Sequence, residues 1–286
     1  MASREFQLSF EGNSCSGRIA EPEVRSNSPV VVAIHGGTYF SKYFDIENYS
    51  LLQLGIDQGL SVIAIDRPGY GQTTPLPDSP DLLHQNALYL NTIIPRVVAE
   101  LTPGRTPVFL IGHSMGGAIA ITIASFRPEW LSGIAVSGIG TIVPPELPGV
   151  FAELPLEDLV TLPVEMKDAV MFGPEGSMTD DMPEASHEAN TTVPLSELFD
   201  VTSGWVDRFP ELAKVVAVPV HYRQAEFDHL WVTDPSTVEV FSQSFRQSAR
   251  VDAGITSGAG HCIDFHRMAK SFQTQQLDFA RNCISR

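Results

Sequence analysis

The chain has 286 residues, of which 43% are hydrophobic and 18% charged, with a formal net charge of −16. That is enough apolar material for a large core and too much for a disordered chain. No basic stripe could neutralise phosphates, so a nucleic-acid-binding role is set aside.

Short apolar, β-branched runs alternate with longer segments of helical spacing. Residues 6–10 and 14–20 read as a leading hairpin around Glu11, Gly12 and Asn13. Strands are expected at 30–34, 62–65, 108–111, 134–136 and 218–222, with a weaker one near 249–254. Helices are expected over 47–59, 81–101, 115–126 and 265–283. Alternation of this kind predicts a doubly wound, mostly parallel sheet flanked by helices, with ligands bound beyond the carboxyl ends of the strands.

Residues 140–211 break the rhythm. Prolines multiply there, no strand-like run is evident, and 15 acidic residues face two basic ones, Lys167 and Arg208, so this interval holds −13 of the total charge. A long interruption rich in Leu, Met and Phe reads as a folded helical lid (140–211) over a core made of 1–139 and 212–286. Its apolar residues Leu147, Phe151, Leu154, Leu159, Leu162, Met166, Met171, Phe172 and Met178 suit either a hydrophobic substrate or anchorage to the core.

The three cysteines, Cys15, Cys262 and Cys283, are too few and scattered for a disulfide framework or a zinc cluster. No stretch approaches a membrane span, residues 1–25 lack the apolar run of a signal peptide, and residues 284–286 are not a peroxisomal signal. A cytoplasmic protein with a small-molecule substrate is the expectation, with no membrane or nucleic-acid partner, no cofactor and no metal.

The most informative stretch is Gly112, His113, Ser114, Met115, Gly116 between an apolar strand and an Ala/Ile-rich helix. A sharp strand-to-helix turn holds such a serine in a strained conformation, needs small residues two positions either side, and places a helix N-terminus beneath it. The competing reading, a glycine-rich nucleotide turn, lacks both G-x-x-x-x-G-K and G-x-G-x-x-G.

With this motif, Ile34–His35–Gly36–Gly37 after the first parallel strand and the run Asp66 to Gly71 (DRPGYG), the chain resembles the α/β-hydrolase fold superfamily in its lid-bearing branch, over nearly its whole length. The resemblance implies an eight-stranded sheet with the lid inserted after the sixth strand. It also implies an oxyanion hole built from the backbone N–H of Met115 and that of Gly37 or Thr38.

The chain order Ser, acid, His points to His261 on a glycine-rich loop as general base, with His266 as competitor inside the expected last helix. The acid after the strand at 218–224 is Asp228, where the family places it, or Glu226. Tyr39, Phe40, His113 and Phe172 are candidates for the pocket wall, though core packing explains the aromatic ones nearly as well.

A serine rather than an aspartate nucleophile leaves addition–elimination at a carbonyl. The expected function is hydrolysis of an ester or lactone of a small, apolar, neutral molecule through an acyl-enzyme, since an acidic lid would repel polyanions. Two alternatives stay open: carbon–carbon cleavage beside a ketone, and a non-catalytic ligand receptor on the same fold.

Overall fold

The computed structural model describes residues 2–23, 28–104, 107–152 and 154–283. In chain order the elements are β1 (Arg4–Phe10), β2 (Asn13–Ala20), β3 (Val30–Ile34), α1 (Leu51–Asp57), β4 (Val62–Ile65), α2 (Leu82–Leu101), β5 (Val108–His113), α3 (Met115–Ser125) and β6 (Leu131–Ser137). There follow α4 (Leu147–Ala152), β7 (Leu159–Val160), α5 (Val164–Met171), β8 (Val193–Pro194), α6 (Leu195–Phe199) and α7 (Trp205–Ala213). The chain closes with β9 (Val220–Phe227), α8 (Pro235–Gln243), β10 (Val251–Gly260) and α9 (Ala269–Arg281).

Eight strands form one sheet in the order β1-β2-β4-β3-β5-β6-β9-β10. The hairpin β1–β2 is antiparallel, β2 joins β4 antiparallel, and the pairings from β4 through to β10 are parallel. The hairpin turn places Glu11 at φ 53° and Gly12 at φ 86°, the positive-φ pair whose twist matches the flanking strands.

Alternate residues of each central strand enter different layers. Val30, Val32 and Ile34 of β3 join Leu110 of β5 in a core that includes α2, α3, α7 and α8 residues. Val31 and Ala33, with Phe109 and Ile111, face α1 and α9. Burial on both faces is why these strands read as unbroken apolar runs. Helix α3 has every residue from Met115 to Ala124 buried, which is why its apolar residues run all round.

Several boundaries differ from the sequence expectation. The first helix starts at Leu51 rather than 47, because the Ser50 hydroxyl caps it by accepting from Gln53 N–H at 3.0 Å. The last helix starts at Ala269 rather than 265, after a 3₁₀ turn at Ile263–Phe265, so His266 lies outside it. The weak strand near 249–254 extends to Gly260; it is an edge strand, only partly buried, which blurs its pattern.

Between β6 and β9 the 140–211 interval forms short helices and turns plus a two-stranded ribbon, β7 with β8, that the sequence did not signal. Helix α7 runs past residue 211. It packs Trp205 and Phe209 against each other and Phe209 on Phe241, joining this end of the interval to the core.

The chain winds from β3 out to β4 and then returns to place β5 on the other side of β3. That reversal opens a crevice above the carboxyl ends of β3 and β5. Among the described residues no helix is long and apolar enough to cross a membrane.

Candidate active site

Ser114 stands at the crevice, between β5 and α3, with φ 54° and ψ −122°. Its N–H is bonded to Ser137 O at 2.8 Å, fixing the turn to β6. The flanking glycines are required by close approach: a Cβ on Gly112 would lie 2.4 Å from Gly116 O, and one on Gly116 would lie 2.0 Å from Ile34 O. The strained serine turn expected from the sequence is therefore present.

His261 follows the last residue of β10, and Asp228 follows the last of β9, so both arrive at the same rim as Ser114. His261 Nδ1 donates to Asp228 Oδ2 at 2.9 Å, with Oδ1 at 3.1 Å; neither side chain is exposed. Asp228 is held in turn by Leu230 N–H and Gln224 Nε2, each at 2.9 Å. Glu226 accepts instead from Gly258 N–H at 2.8 Å on the exposed side of the edge strand. The geometry pairs Asp228, not Glu226, with the histidine.

With Nδ1 donating, His261 Nε2 is left as the acceptor, buried and without a hydrogen-bond partner among the described residues. Its ring lies edge-on to that of His113, the neighbour of Ser114, at 4.9 Å between centroids. No hydrogen bond joins Nε2 to the Ser114 hydroxyl here. Such bonds are commonly open in unliganded sites and close with substrate.

His266, the competing base, is buried and fully engaged. Its Nε2 accepts from Gly173 and Gly260 N–H, both at 2.9 Å, and Nδ1 lies 2.8 Å from Cys262 O. It ties the 140–211 interval to β10, a structural position.

The loop after β3 reaches the serine from the other side. Gly36 O is bonded by Arg67 Nη2 at 3.1 Å and by His35 Nδ1 at 2.8 Å, while His35 Nε2 accepts from Arg67 N–H at 3.1 Å. His35 is therefore the neutral Nδ1–H tautomer, and burial, helped by the Arg67 charge, holds its pKa well below the usual imidazole range. A peptide's C=O and N–H point opposite ways, so pinning Gly36 O turns the Gly37 N–H away from Arg67. Thr38 follows at φ 61°, a left-handed conformation that costs a β-branched residue about 1–3 kcal/mol. Met115, first residue of α3, has an N–H with no acceptor one turn back.

Gly37, Thr38, Ser114 and Met115 line one end of a cavity of ≈ 60 Å³. The remaining wall is apolar apart from Thr202, and includes Leu162, Met166, Val201, Leu230 and Trp231. Of the candidate lid residues, Leu147, Leu154, Leu162, Met166 and Met171 reach it. Leu159 is largely exposed, Phe172 and Met178 pack in the core, and the Phe151 side chain lies outside the described residues.

None of the four proposed wall residues is there. Tyr39 packs against Tyr43 and Phe265, Phe172 stacks on Phe265, and His113 stacks on Tyr43 at 4.8 Å. Phe40 lines a separate cleft with Glu5 and Arg18. Tyr39, His113 and Phe172, which come from three different parts of the chain, pack around Tyr43 and Phe265, whereas the cavity wall comes mostly from the 140–211 interval with Leu230 and Trp231. No charged residue lines the cavity, so the acidity of the interval gives no direct repulsion of anions there. Trp231 was not singled out from the sequence; only its position three residues after Asp228 could have suggested it.

Among the described residues, no group of three or more His, Cys, Asp or Glu is placed to hold a metal.

Comparison with known proteins agrees with this architecture. The profile described as "Alpha/beta hydrolase family" matches residues 31–271. Human monoglyceride lipase is 31% identical over 141 residues, 49% of this chain and 44% of that protein. Bovine protein phosphatase methylesterase 1 is 31% identical over 101 residues, 35% of this chain and 25% of that protein. The matched region thus spans less than half of either relative. A soluble variant of the Saccharomyces cerevisiae monoglyceride lipase superposes with a TM-score of 0.72 at 16% identity, covering 100% of this chain and 97% of that one. At that identity the likeness concerns the fold.

Proposed function

From the premise that the chain belongs to the alpha/beta hydrolase family, we propose that it is a serine hydrolase in which Ser114 attacks a carbonyl, His261 takes its proton and Asp228 orients His261. The observation that supports this most is the buried Asp228–His261 pair at 2.9 Å, whose second ring nitrogen is free at the rim bearing the strained serine. The substrate is an ester or lactone of a small, apolar, neutral molecule, in keeping with an uncharged cavity wall.

Attack on the carbonyl carbon moves an electron pair onto its oxygen. The backbone N–H of Met115 and those of Gly37 or Thr38 receive that oxyanion, a contribution of roughly 10²–10³ in rate per donor. The proton held on His261 Nε2 then passes to the leaving alcohol. Water, deprotonated by the same nitrogen, hydrolyses the acyl-enzyme. Asp228 keeps the tautomer that leaves Nε2 facing the serine and stabilises the imidazolium.

The 140–211 interval serves as a lid: it supplies most of the apolar wall and covers the serine. All three cysteines are free thiols, which supports a reducing, cytoplasmic setting.

Fluorophosphonate labelling tests the reading. Stoichiometric modification of the wild type that disappears in Ser114→Ala is expected. Undiminished labelling of Ser114→Ala would move the nucleophile elsewhere, and no labelling of the wild type would favour a ligand receptor.

A further inference from the structure

Among the buried charged groups that take no part in the chemistry above is a single lysine. Lys167, on α5, is 2% exposed. Its Nζ donates to Thr38 O at 2.7 Å and to Asn190 Oδ1, and lies 3.3 Å from the centroid of the Tyr39 ring. Three electron-rich partners around one nitrogen match the three donors of an ammonium. A buried ammonium is costly, and here burial outweighs the attraction of Asp168, bringing the pKa down to about 7.

The partner of this amine matters more than its charge. The Thr38 carbonyl takes two donors from the 140–211 interval, Lys167 Nζ and Thr191 N–H at 2.9 Å. Holding that carbonyl fixes the peptide after Thr38, as Arg67 and His35 fix the peptide before Gly37. The intervening peptide, with the Thr38 N–H, is suspended between two clamps at a φ that threonine would otherwise leave.

We propose that Lys167 is a positioning residue: by holding the Thr38 carbonyl, it keeps the loop after β3 in the left-handed conformation that aims its N–H groups at the oxyanion. This rests on the serine-hydrolase reading. It makes the interval between β6 and β9 a determinant of turnover as well as a wall of the pocket.

Loss of the amine's proton removes the attraction to the Tyr39 ring and one donor, so the clamp weakens as pH rises through neutrality. The groups facing it are Asp168 on α5, bonded to His187 at 3.0 Å, Cys262 after β10, and Tyr39 after β3. Burial pushes the Cys262 thiol up to about 12 and the Tyr39 phenol well above its usual value, so both stay protonated where Lys167 titrates.

The test is kcat and KM for p-nitrophenyl butyrate across pH ~5.5 to 9.5, read at the nitrophenol isosbestic wavelength. The wild type should lose kcat on the alkaline side. Lys167→Met should lose on the order of 10² in kcat at neutral pH with KM changed less than about threefold, and show no alkaline limb. Lys167→Arg should recover most of kcat and shift the limb beyond the measured range, while His187→Gln should leave the limb in place. Asn190→Ala, which removes an acceptor from the ammonium, should move the limb to lower pH, and it serves if Lys167→Met does not fold. A flat alkaline side in the wild type, unchanged kcat in Lys167→Met, a limb unmoved in Asn190→Ala, or a limb abolished by His187→Gln would each overturn the proposal. Failure of the underlying reading is distinguishable, because it would abolish fluorophosphonate labelling of Ser114 in the wild type.

Discussion

Arg67 and Glu197 form a two-pronged ion pair, at 2.7 and 2.9 Å, with neither side chain exposed. It joins the turn after β4 to α6, and Tyr70 adds its hydroxyl to Glu197 at 2.7 Å. Replacing such a pair with matched apolar groups can be nearly neutral, but removing one partner strands a buried charge. Glu197→Gln is expected to destabilise the protein by about 3–5 kcal/mol. Arg67→Met combined with Glu197→Leu should destabilise less than Glu197→Gln alone. Denaturant unfolding of the three proteins checks this, and a double variant less stable than the single one contradicts it.

Acid sensitivity follows from four buried imidazoles. Burial holds His35, His113 and His266 below the usual range and brings His221 to about 3. Each binds its proton less readily folded than unfolded. Stability is therefore intact above the unfolded value of about 6.5 and falls as pH drops below it, by up to about 1.4 kcal/mol per pH unit per group. His221 is the cleanest probe, since neither ring nitrogen has a partner among the described residues and its ring packs on Phe279. His221→Phe should raise Tm more at pH ~5 than at pH ~8. An equal change at both would show that His221 does not contribute to the slope.

The two carboxylates at the end of β9, Glu226 within it and Asp228 just after it, should separate by function. Asp228→Asn should lower kcat by on the order of 10⁴, because the amide presents the wrong hydrogen-bonding face to His261 Nδ1. Glu226→Gln, whose carboxylate is bonded to Gly258 N–H, should stay within about twofold of the wild type. A larger loss in Glu226→Gln than in Asp228→Asn would reverse the assignment.

Chain-length selectivity should follow the cavity. A volume of ≈ 60 Å³ holds roughly four or five waters, room for a short acyl group. Leu162 lines it, so Leu162→Trp is expected to abolish butyrate-ester hydrolysis while retaining acetate-ester hydrolysis. Rates across a p-nitrophenyl ester series check this; a parallel fall for both esters would place Leu162 outside the acyl subsite.

The amino-acid sequence alone determined the sheet, because strands buried on both faces must be apolar throughout: 30–34 and 62–65 were legible to the residue. It also determined the serine turn, since Gly112 and Gly116 leave no space for a side chain. Where a signal was diluted, at the partly buried edge strand β10 or at helix starts set by one hydroxyl, the boundaries moved. The family pattern placed Asp228 ahead of Glu226, but only the tertiary structure shows the contact that separates them: Asp228 lies 2.9 Å from His261 Nδ1, while Glu226 turns to Gly258 N–H on the exposed side. The pocket wall was undecidable beforehand. Tyr39, His113 and Phe172 are as apolar or as buried as any wall residue, and their direction is set by which element packs over the loop. Lys167 is the extreme case: in sequence it is one cation in an acidic stretch, and its meaning comes entirely from a carbonyl 129 positions away.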